Sequence, residues 1–193
     1  MSIDIWNVSP LIVIGLAVLL VYLRRRGRSP GYLACVALFG IYLVLVAHWT
    51  IFPLILDEAT LAALARERSL ADAVELLPIV GGLAPTRYEL VGNILLGVPF
   101  GFGLPFVSSR RGWDVLIDGL VFAVAIEIIQ LLIDLAYGFG YRVIDVNDII
   151  LVWLGVLGGY IAFRVLSAAY RRAGRTAGID EVAWGHAHDV LMQ

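Results

Sequence analysis

The sequence has no lysine, a single cysteine and little charge of either sign. Charged residues make up 16% of its 193 residues and hydrophobic residues 61%. A soluble domain of this length needs more charge to cover its surface. With Cys35 alone, an intramolecular disulfide is impossible and a multi-cysteine metal site is excluded. The net charge of −2 provides no basic face for a phosphate backbone, so we expect no nucleic-acid partner.

What the sequence has instead is long apolar runs, which are typical of membrane helices. Its mean hydropathy is +0.90. A bilayer core is crossed by about 20 apolar residues in a helix, and five segments qualify. They are Ile3–Leu23, Tyr32–Phe52, Tyr88–Val107, Val115–Tyr137 and Val146–Leu166. We therefore predict an all-α fold, a polytopic transmembrane bundle of about five spans whose main partner is the lipid bilayer.

The arginines are distributed unevenly between the two sides of these spans. With the amino terminus outside, ten of the fourteen fall on cytoplasmic segments and four on outer segments. Cytoplasmic loops of multi-pass proteins carry the excess of positive charge. The sequence thus predicts an outer amino terminus and a cytoplasmic carboxyl terminus. The cytoplasmic set is Arg24, Arg25, Arg26, Arg28, Arg110, Arg111, Arg164, Arg171, Arg172 and Arg175.

We divide the chain into three parts. Residues 1–29 are the first span and its arginine cluster, residues 30–167 the main transmembrane domain, and residues 168–193 a cytoplasmic tail. The tail is polar enough after Arg175 to be a loose end. It contains His186, His188 and Asp189, but histidines near a mobile terminus rarely form a metal site. We expect neither a metal nor a cofactor.

The outer loop 54–87 is the longest connection between spans. Its stretch Glu58–Leu77 mixes apolar and charged residues, which predicts one or two short amphipathic helices lying on the outer leaflet. Ser69 and Asp72 resemble a capping box between them.

Polar residues inside the spans lie near the outer ends of the helices. A charged group in hydrocarbon costs about 2.5–3.5 kcal/mol, so Glu127 in the fourth span needs a reason to be there. Gln130 shares its helix face. Asn93 lies one turn into the third span and aligns with Gly97 and Gly101, so a close helix approach would carry it into the bundle. We predict a binding site made of Asn93, Glu127, Gln130, Arg142, Asp145 and Asp148, with Glu127 as the candidate catalytic residue.

Structural roles are the alternative for several of these residues. Asp145 and Asp148 fit an N-cap and a first-turn acid at the start of the fifth span. Arg142 would then pair with one of them. Gln130 and Asn93 would be ordinary interhelical hydrogen-bonding groups.

Three motifs, taken in order, resemble the VanZ-like family. They are Glu89-Leu-Val-Gly-Asn-Ile-Leu-Leu-Gly-Val-Pro-Phe-Gly101, Glu127-Ile-Ile-Gln130, and Arg142-Val-Ile-Asp-Val-Asn-Asp148 followed by Gly155 and Gly159-Tyr160. The likeness covers roughly Tyr42 to Tyr160. The resemblance implies a bacterial multi-pass protein of the cell membrane, in a family whose namesake is associated with low-level resistance to the glycopeptide teicoplanin.

Two functions are compatible with these observations. The first is an accessory protein of glycopeptide resistance or envelope maintenance, whose outward-facing polar cavity binds a cell-envelope component or a partner membrane protein. The alternative is a membrane enzyme acting on a lipid-linked or phospholipid substrate at the outer interface. Glu127 would be its general acid or base, Arg142 would hold a phosphate, and Asp145 with Asp148 would bind a divalent cation. The sequence leaves open whether there is any catalysis.

Overall fold

A computed structural model describes residues 2–69, 74–75, 87–142, 144–177 and 181–193. The helices in these residues are α1 (Ile5–Arg25), α2 (Pro30–Thr50), α3 (Glu58–Glu67), α4 (Arg87–Val107), α5 (Trp113–Tyr137), α6 (Val146–Ala177) and α7 (Glu181–Met192). Five of them, α1, α2, α4, α5 and α6, are long and apolar enough to cross a membrane. The predicted all-α bundle of five spans is confirmed.

Local signals in the sequence set several helix boundaries. Ser29 caps α2 by accepting a hydrogen bond from the backbone N–H of Tyr32 at 3.2 Å, and Pro30 occupies the first helical position. Gly138 ends α5 in the left-handed conformation, with φ at 77°. The main difference from the predicted spans is α6, which continues past Leu166 to Ala177.

The bundle has two chemically different ends. At one end of the bundle, α1 and α4 end and α2 and α5 begin. This is called the arginine-rich end. We call the opposite end, where α2 and α5 finish and α4 and α6 begin, the polar end. In the described part of the chain, four two-residue strands lie at the polar end: β1 (Ser2–Ile3), β2 (Leu54–Ile55), β3 (Val74–Glu75) and β4 (Ile144–Asp145). The β1–β2 pair is antiparallel and the β3–β4 pair is parallel, so each ties distant segments together.

Glycines bring α4 and α6 into backbone contact, and this seam organises the bundle. A Cβ at Gly97 would collide with the backbone carbonyl of Val152, and a Cβ at Gly155 would collide with the carbonyl of Ile94. Gly101 and Gly159 repeat this relation one turn along each helix. The glycine faces of these two helices therefore pack against each other. Below the seam lies the aromatic and aliphatic core, which includes Phe100, Val115, Val156, Tyr160 and Phe163.

The connection that follows α2 contains one of the predicted amphipathic helices, α3. Its N-cap is Asp57, whose carboxylate accepts hydrogen bonds from the Thr60 hydroxyl at 2.7 Å and the Thr60 backbone N–H at 2.9 Å. These two bonds lower the pKa of Asp57 because they favour its charged form. The predicted capping box of Ser69 and Asp72 falls partly outside the described residues, since Asp72 is not among them.

The prediction of a loose end after Arg175 is wrong for residues 181–193. They form α7, and Val190 and Leu191 of this helix are buried in the core. His186 hydrogen-bonds through Nε2 to the Phe106 carbonyl of α4 at 2.7 Å, and His188 through Nδ1 to the Tyr170 hydroxyl of α6 at 2.9 Å. The two imidazoles dock α7 against its neighbours. The sequence does not reveal this because the apolar face of α7 is short.

Candidate functional site

A cavity of about 740 Å³ lies at the polar end between α2, α4 and α5. Four of the six residues predicted to form a site line it: Asn93, Gln130, Arg142 and Asp148. Its remaining walls are Tyr42, Leu45, Val46, Trp49, Thr50, Tyr88, Glu89, Gly92, Leu95, Leu96 and Pro99. The cavity thus combines a polar floor with apolar sides.

The glycine seam positions the floor of the cavity. Asn93 precedes Gly97 by one turn of α4, and Asp148 precedes Gly155 by two turns of α6, so both side chains lie on the seam face of their helices. The amide Nδ2 of Asn93 donates a hydrogen bond to Oδ1 of Asp148. This interhelical bond crosses from α4 to α6 about one turn before the first glycine contacts of the seam.

Arg142 hydrogen-bonds to backbone carbonyls at the carboxyl end of α2 and does not pair with Asp145 or Asp148. Its Nη2 donates to the backbone carbonyls of Ile51 at 3.3 Å and Phe52 at 3.1 Å. A cation at the carboxyl end of a helix satisfies carbonyls that lack intrahelical partners and complements the helix dipole. The Nε atom of Arg142 is buried and has no hydrogen-bond partner. It is therefore an unused donor beside the cavity.

Gln130 and Asp134 of α5 form further hydrogen bonds in this region, near the end of α2 and the Arg142 backbone. Gln130 donates from Nε2 to the Thr50 carbonyl at 2.9 Å, the interhelical role expected in the structural alternative. Asp134 is fully buried, and its Oδ1 accepts from the backbone N–H groups of Tyr141 at 3.1 Å and Arg142 at 2.9 Å. Asp134 thus shapes the turn that presents Arg142 to α2.

Glu127 and Asp145 do not line the cavity. Asp145 accepts a hydrogen bond from the backbone N–H of Asn147 at 2.8 Å, so it caps α6 as the structural alternative expected. Glu127 is 6% exposed and lies close to Asp145 and Asp148 at the start of α6. Its Oε2 has no hydrogen-bond partner. Glu127 therefore lies behind the cavity floor.

The structure adds residues to the cavity that were not predicted as part of the site. Glu89 lies four residues before Asn93, so helical spacing places both on one face, and this was a signal available in the sequence. Trp49 and Tyr88 form the rim and are 72% and 90% exposed. Leu45 and Leu95 beside them are also exposed. An apolar rim between α2 and α4 opens the cavity sideways, toward the region that lipid occupies.

The polar groups at the floor of the cavity are of mixed chemical type. Within the described ranges, no three or more His, Cys, Asp and Glu residues are grouped so that they could hold a metal ion. The floor instead offers amide, carboxylate and guanidinium groups side by side. Such a mixed set can contact hydroxyl, amide or phosphate groups of a ligand.

These observations define the class of protein: a multi-pass membrane bundle with a polar cavity at one end of its spans. No curated protein and no solved structure matches the chain. A family model described as VanZ/LLP1 matches residues 39–167, well over half of the chain. The chain belongs to the VanZ-like family.

Proposed function

We propose that this protein binds an amphipathic component of the bacterial cell envelope in its polar cavity, as an accessory factor in glycopeptide resistance or envelope maintenance. The predicted orientation places the cavity at the outer face of the cell membrane. The observation that carries the proposal is the shape of the site, which is polar at its floor and opens between two helices toward lipid.

A second cavity extends this site along the membrane-spanning part of α2 and α4. It has a volume of about 310 Å³, shares Tyr42 and Pro99 with the polar cavity, and is otherwise lined by apolar residues and Cys35. Its lining residues are Cys35, Leu38, Phe39, Tyr42, Pro99, Phe102, Gly103 and Phe106. A ligand with a polar headgroup and a hydrocarbon chain matches the two cavities together.

Filling the polar cavity tests the proposal in the purified protein. Gly92 lines the cavity, and a Cβ there meets no atom within 4 Å, so we expect Gly92→Leu to fill part of the cavity without displacing the backbone. Gly158→Leu on α6 is the matched control, since its Cβ also meets no atom within 4 Å and Gly158 does not line the cavity. We expect native mass spectrometry of protein extracted in mild detergent to show a bound amphiphile in the wild type and in Gly158→Leu, and less of it in Gly92→Leu.

Equal occupancy in all three proteins would contradict binding in the cavity. A co-purified protein in place of an amphiphile would assign the site to a partner membrane protein instead.

Teicoplanin susceptibility tests the cellular role. We expect deletion of the gene to raise susceptibility and the wild-type chain to restore resistance. Glu127→Gln and Arg142→Ala should restore it only partly, because the first alters the support of the cavity floor and the second removes a cation from its wall. Unchanged susceptibility on deletion would refute the resistance role and leave the binding proposal standing. Full complementation by both variants would refute the role of the cavity.

A membrane enzyme acting on a lipid-linked or phospholipid substrate is the second candidate. The observation that favours it is the carboxyl oxygen of Glu127 that is buried without a partner next to Asp148. An enzyme of this kind would change lipid or lipid-linked precursor species in a deletion strain, and Glu127→Gln would reproduce the change. An unchanged lipid profile would exclude this candidate.

A further inference from the structure

A cleft at the arginine-rich end brings together three guanidinium groups. It has a volume of about 150 Å³ and is lined by Arg111, Phe163, Arg164, Ser167, Arg171 and Gln193. Arg164, Ser167 and Arg171 lie at helical spacing on one face of α6. Arg111 comes from the turn between α4 and α5, and its guanidinium lies over the ring of Phe163 at 5.5 Å.

None of these three arginines forms an ion pair within the part of the chain that the structure describes. Arg111 donates to backbone carbonyls and to Oε1 of Gln193 at 3.1 Å, Arg164 to the Tyr160 hydroxyl at 3.4 Å, and Arg171 to the Leu191 carbonyl at 3.0 Å. All of these acceptors are neutral. Burial lowers the pKa of the Arg111 guanidinium because desolvation disfavours its charged form. Among the described residues, these three guanidinium groups therefore bring positive charge together without an ion-pair partner.

Ser167 supplies a second, independent indication of a ligand. It is 2% exposed, lines the cleft, and its Oγ has no hydrogen-bond partner. Ser and Thr hydroxyls in membrane helices ordinarily bond to a carbonyl of their own helix or to a neighbouring helix. A buried hydroxyl without a partner is destabilising, so an acceptor in the cleft is expected.

An apolar cavity adjoins the cleft on the membrane-facing side of α5 and α6. Its volume is about 500 Å³, and it shares Arg164 and Arg171 with the cleft. Trp113, Ile161 and Val165 are among its walls and are 76%, 53% and 63% exposed. A tryptophan and arginines at the end of apolar spans are typical of the membrane interface. The geometry joins an anion-sized cleft to a surface suited to hydrocarbon.

We propose that the cleft binds the phosphate of an anionic phospholipid, whose acyl chain lies in the adjoining cavity between α5 and α6. The guanidinium groups and the Ser167 hydroxyl donate hydrogen bonds to the phosphate oxygens, and charge-assisted bonds of this kind are the stronger ones. Basic pockets between membrane helices on the cytoplasmic side select anionic headgroups in this way. The site lies at the opposite end from the polar cavity, so it is independent of the proposed function.

Lipid titration of the delipidated full-length chain in detergent tests the proposal. Phosphatidylglycerol, phosphatidylcholine and inorganic phosphate are added in separate titrations. Binding of each is measured by thermal unfolding and by native mass spectrometry. We expect phosphatidylglycerol to raise the Tm and to remain bound, and the other two to do neither. The double variant Arg164→Gln/Arg171→Gln should weaken phosphatidylglycerol binding at least about tenfold. The matched control Arg24→Gln/Arg25→Gln removes the same charge from exposed positions on α1 at the same end and should bind like the wild type.

If both double variants lost phosphatidylglycerol binding equally, the proposed site would be refuted, because the lipid would then be attracted by surface arginines in general. Equal stabilisation by phosphatidylcholine would overturn the selectivity for anionic lipid. Stabilisation by inorganic phosphate alone would overturn the lipid assignment and leave a site for a free anion.

Ser167→Ala keeps the proposal testable if the arginine variants fail to fold. Without lipid, this change removes an unsatisfied polar group, so the Tm should stay level or rise. With phosphatidylglycerol, the lipid-induced rise in Tm should be smaller than in the wild type, since one donor to the phosphate is gone. An undiminished rise would contradict the proposal.

Discussion

Replacing Gly155 of α6 with alanine is expected to force α4 and α6 apart. The new Cβ would overlap the carbonyl oxygen of Ile94 and lie 3.0 Å from the Cα of Gly97, where ordinary contact is 3.4–4 Å. Both obstacles are backbone atoms, so no side-chain rotation relieves the clash. Because Asn93 is adjacent to Ile94, separation of the helices also stretches the hydrogen bond from Asn93 to Asp148.

The magnitude follows from two opposing effects. Overpacking costs about 1–3 kcal/mol, and the rigid backbone contacts here place Gly155→Ala at the upper end of that range. Alanine has a higher helix propensity than glycine, which offsets about 1 kcal/mol of this cost. A net loss of about 2 kcal/mol corresponds to a fall in Tm of about 4–8 °C for a chain of this size.

Thermal unfolding in detergent, followed by intrinsic tryptophan fluorescence, measures this shift. Gly158→Ala is the control on the same helix, because its Cβ meets no atom within 4 Å. It should raise the Tm by a few degrees through helix propensity alone, about 1 kcal/mol at most. Similar shifts for the two variants, in either direction, would refute the argument that backbone contact at Gly155 holds the seam together.

Two further predictions concern the polar end. Asp134→Ala should destabilise the protein by about 2–4 kcal/mol, because two partly buried backbone N–H groups lose their acceptor. Asp134→Asn should lose less stability, since its amide oxygen can still accept from both. At the surface, Thr60→Ala should raise the pKa of Asp57 back toward 3.8, because it removes the hydroxyl that contributes most to the lowered pKa.

The measurements for these two predictions are separate. Thermal unfolding ranks the Asp134 variants, and equal Tm values for Ala and Asn would show that the oxygen is not needed. The pKa of Asp57 is measured by following its carboxyl carbon in NMR spectra as the pH is changed. Since its pKa is lowered in the folded state, the stabilisation from this cap is present above pH 3.8 and is lost as the pH falls through the lowered pKa. An unchanged titration in Thr60→Ala would contradict the assigned hydrogen bond.

The sequence alone was sufficient for features that depend on nearby residues. The five spans follow from the length and hydropathy of continuous segments, and α3 from its amphipathic pattern. The cap at Asp145 involves a residue two positions away. Alignment of Asn93 with Gly97 and Gly101 predicted that Asn93 would point into the bundle, because helical geometry determines which residues share a face.

Only the tertiary structure decided which faces meet and what lies between them. Helix rotation placed Glu127 behind the cavity floor and Asn93 in it, although both are polar residues at a similar depth in the bilayer. Arg142 reached the carbonyls at the end of α2, which are about ninety residues away in the sequence. The docking of α7 and the convergence of Arg111 with Arg164 and Arg171 likewise join distant segments. Their positions depend on packing of whole helices, which no local pattern encodes.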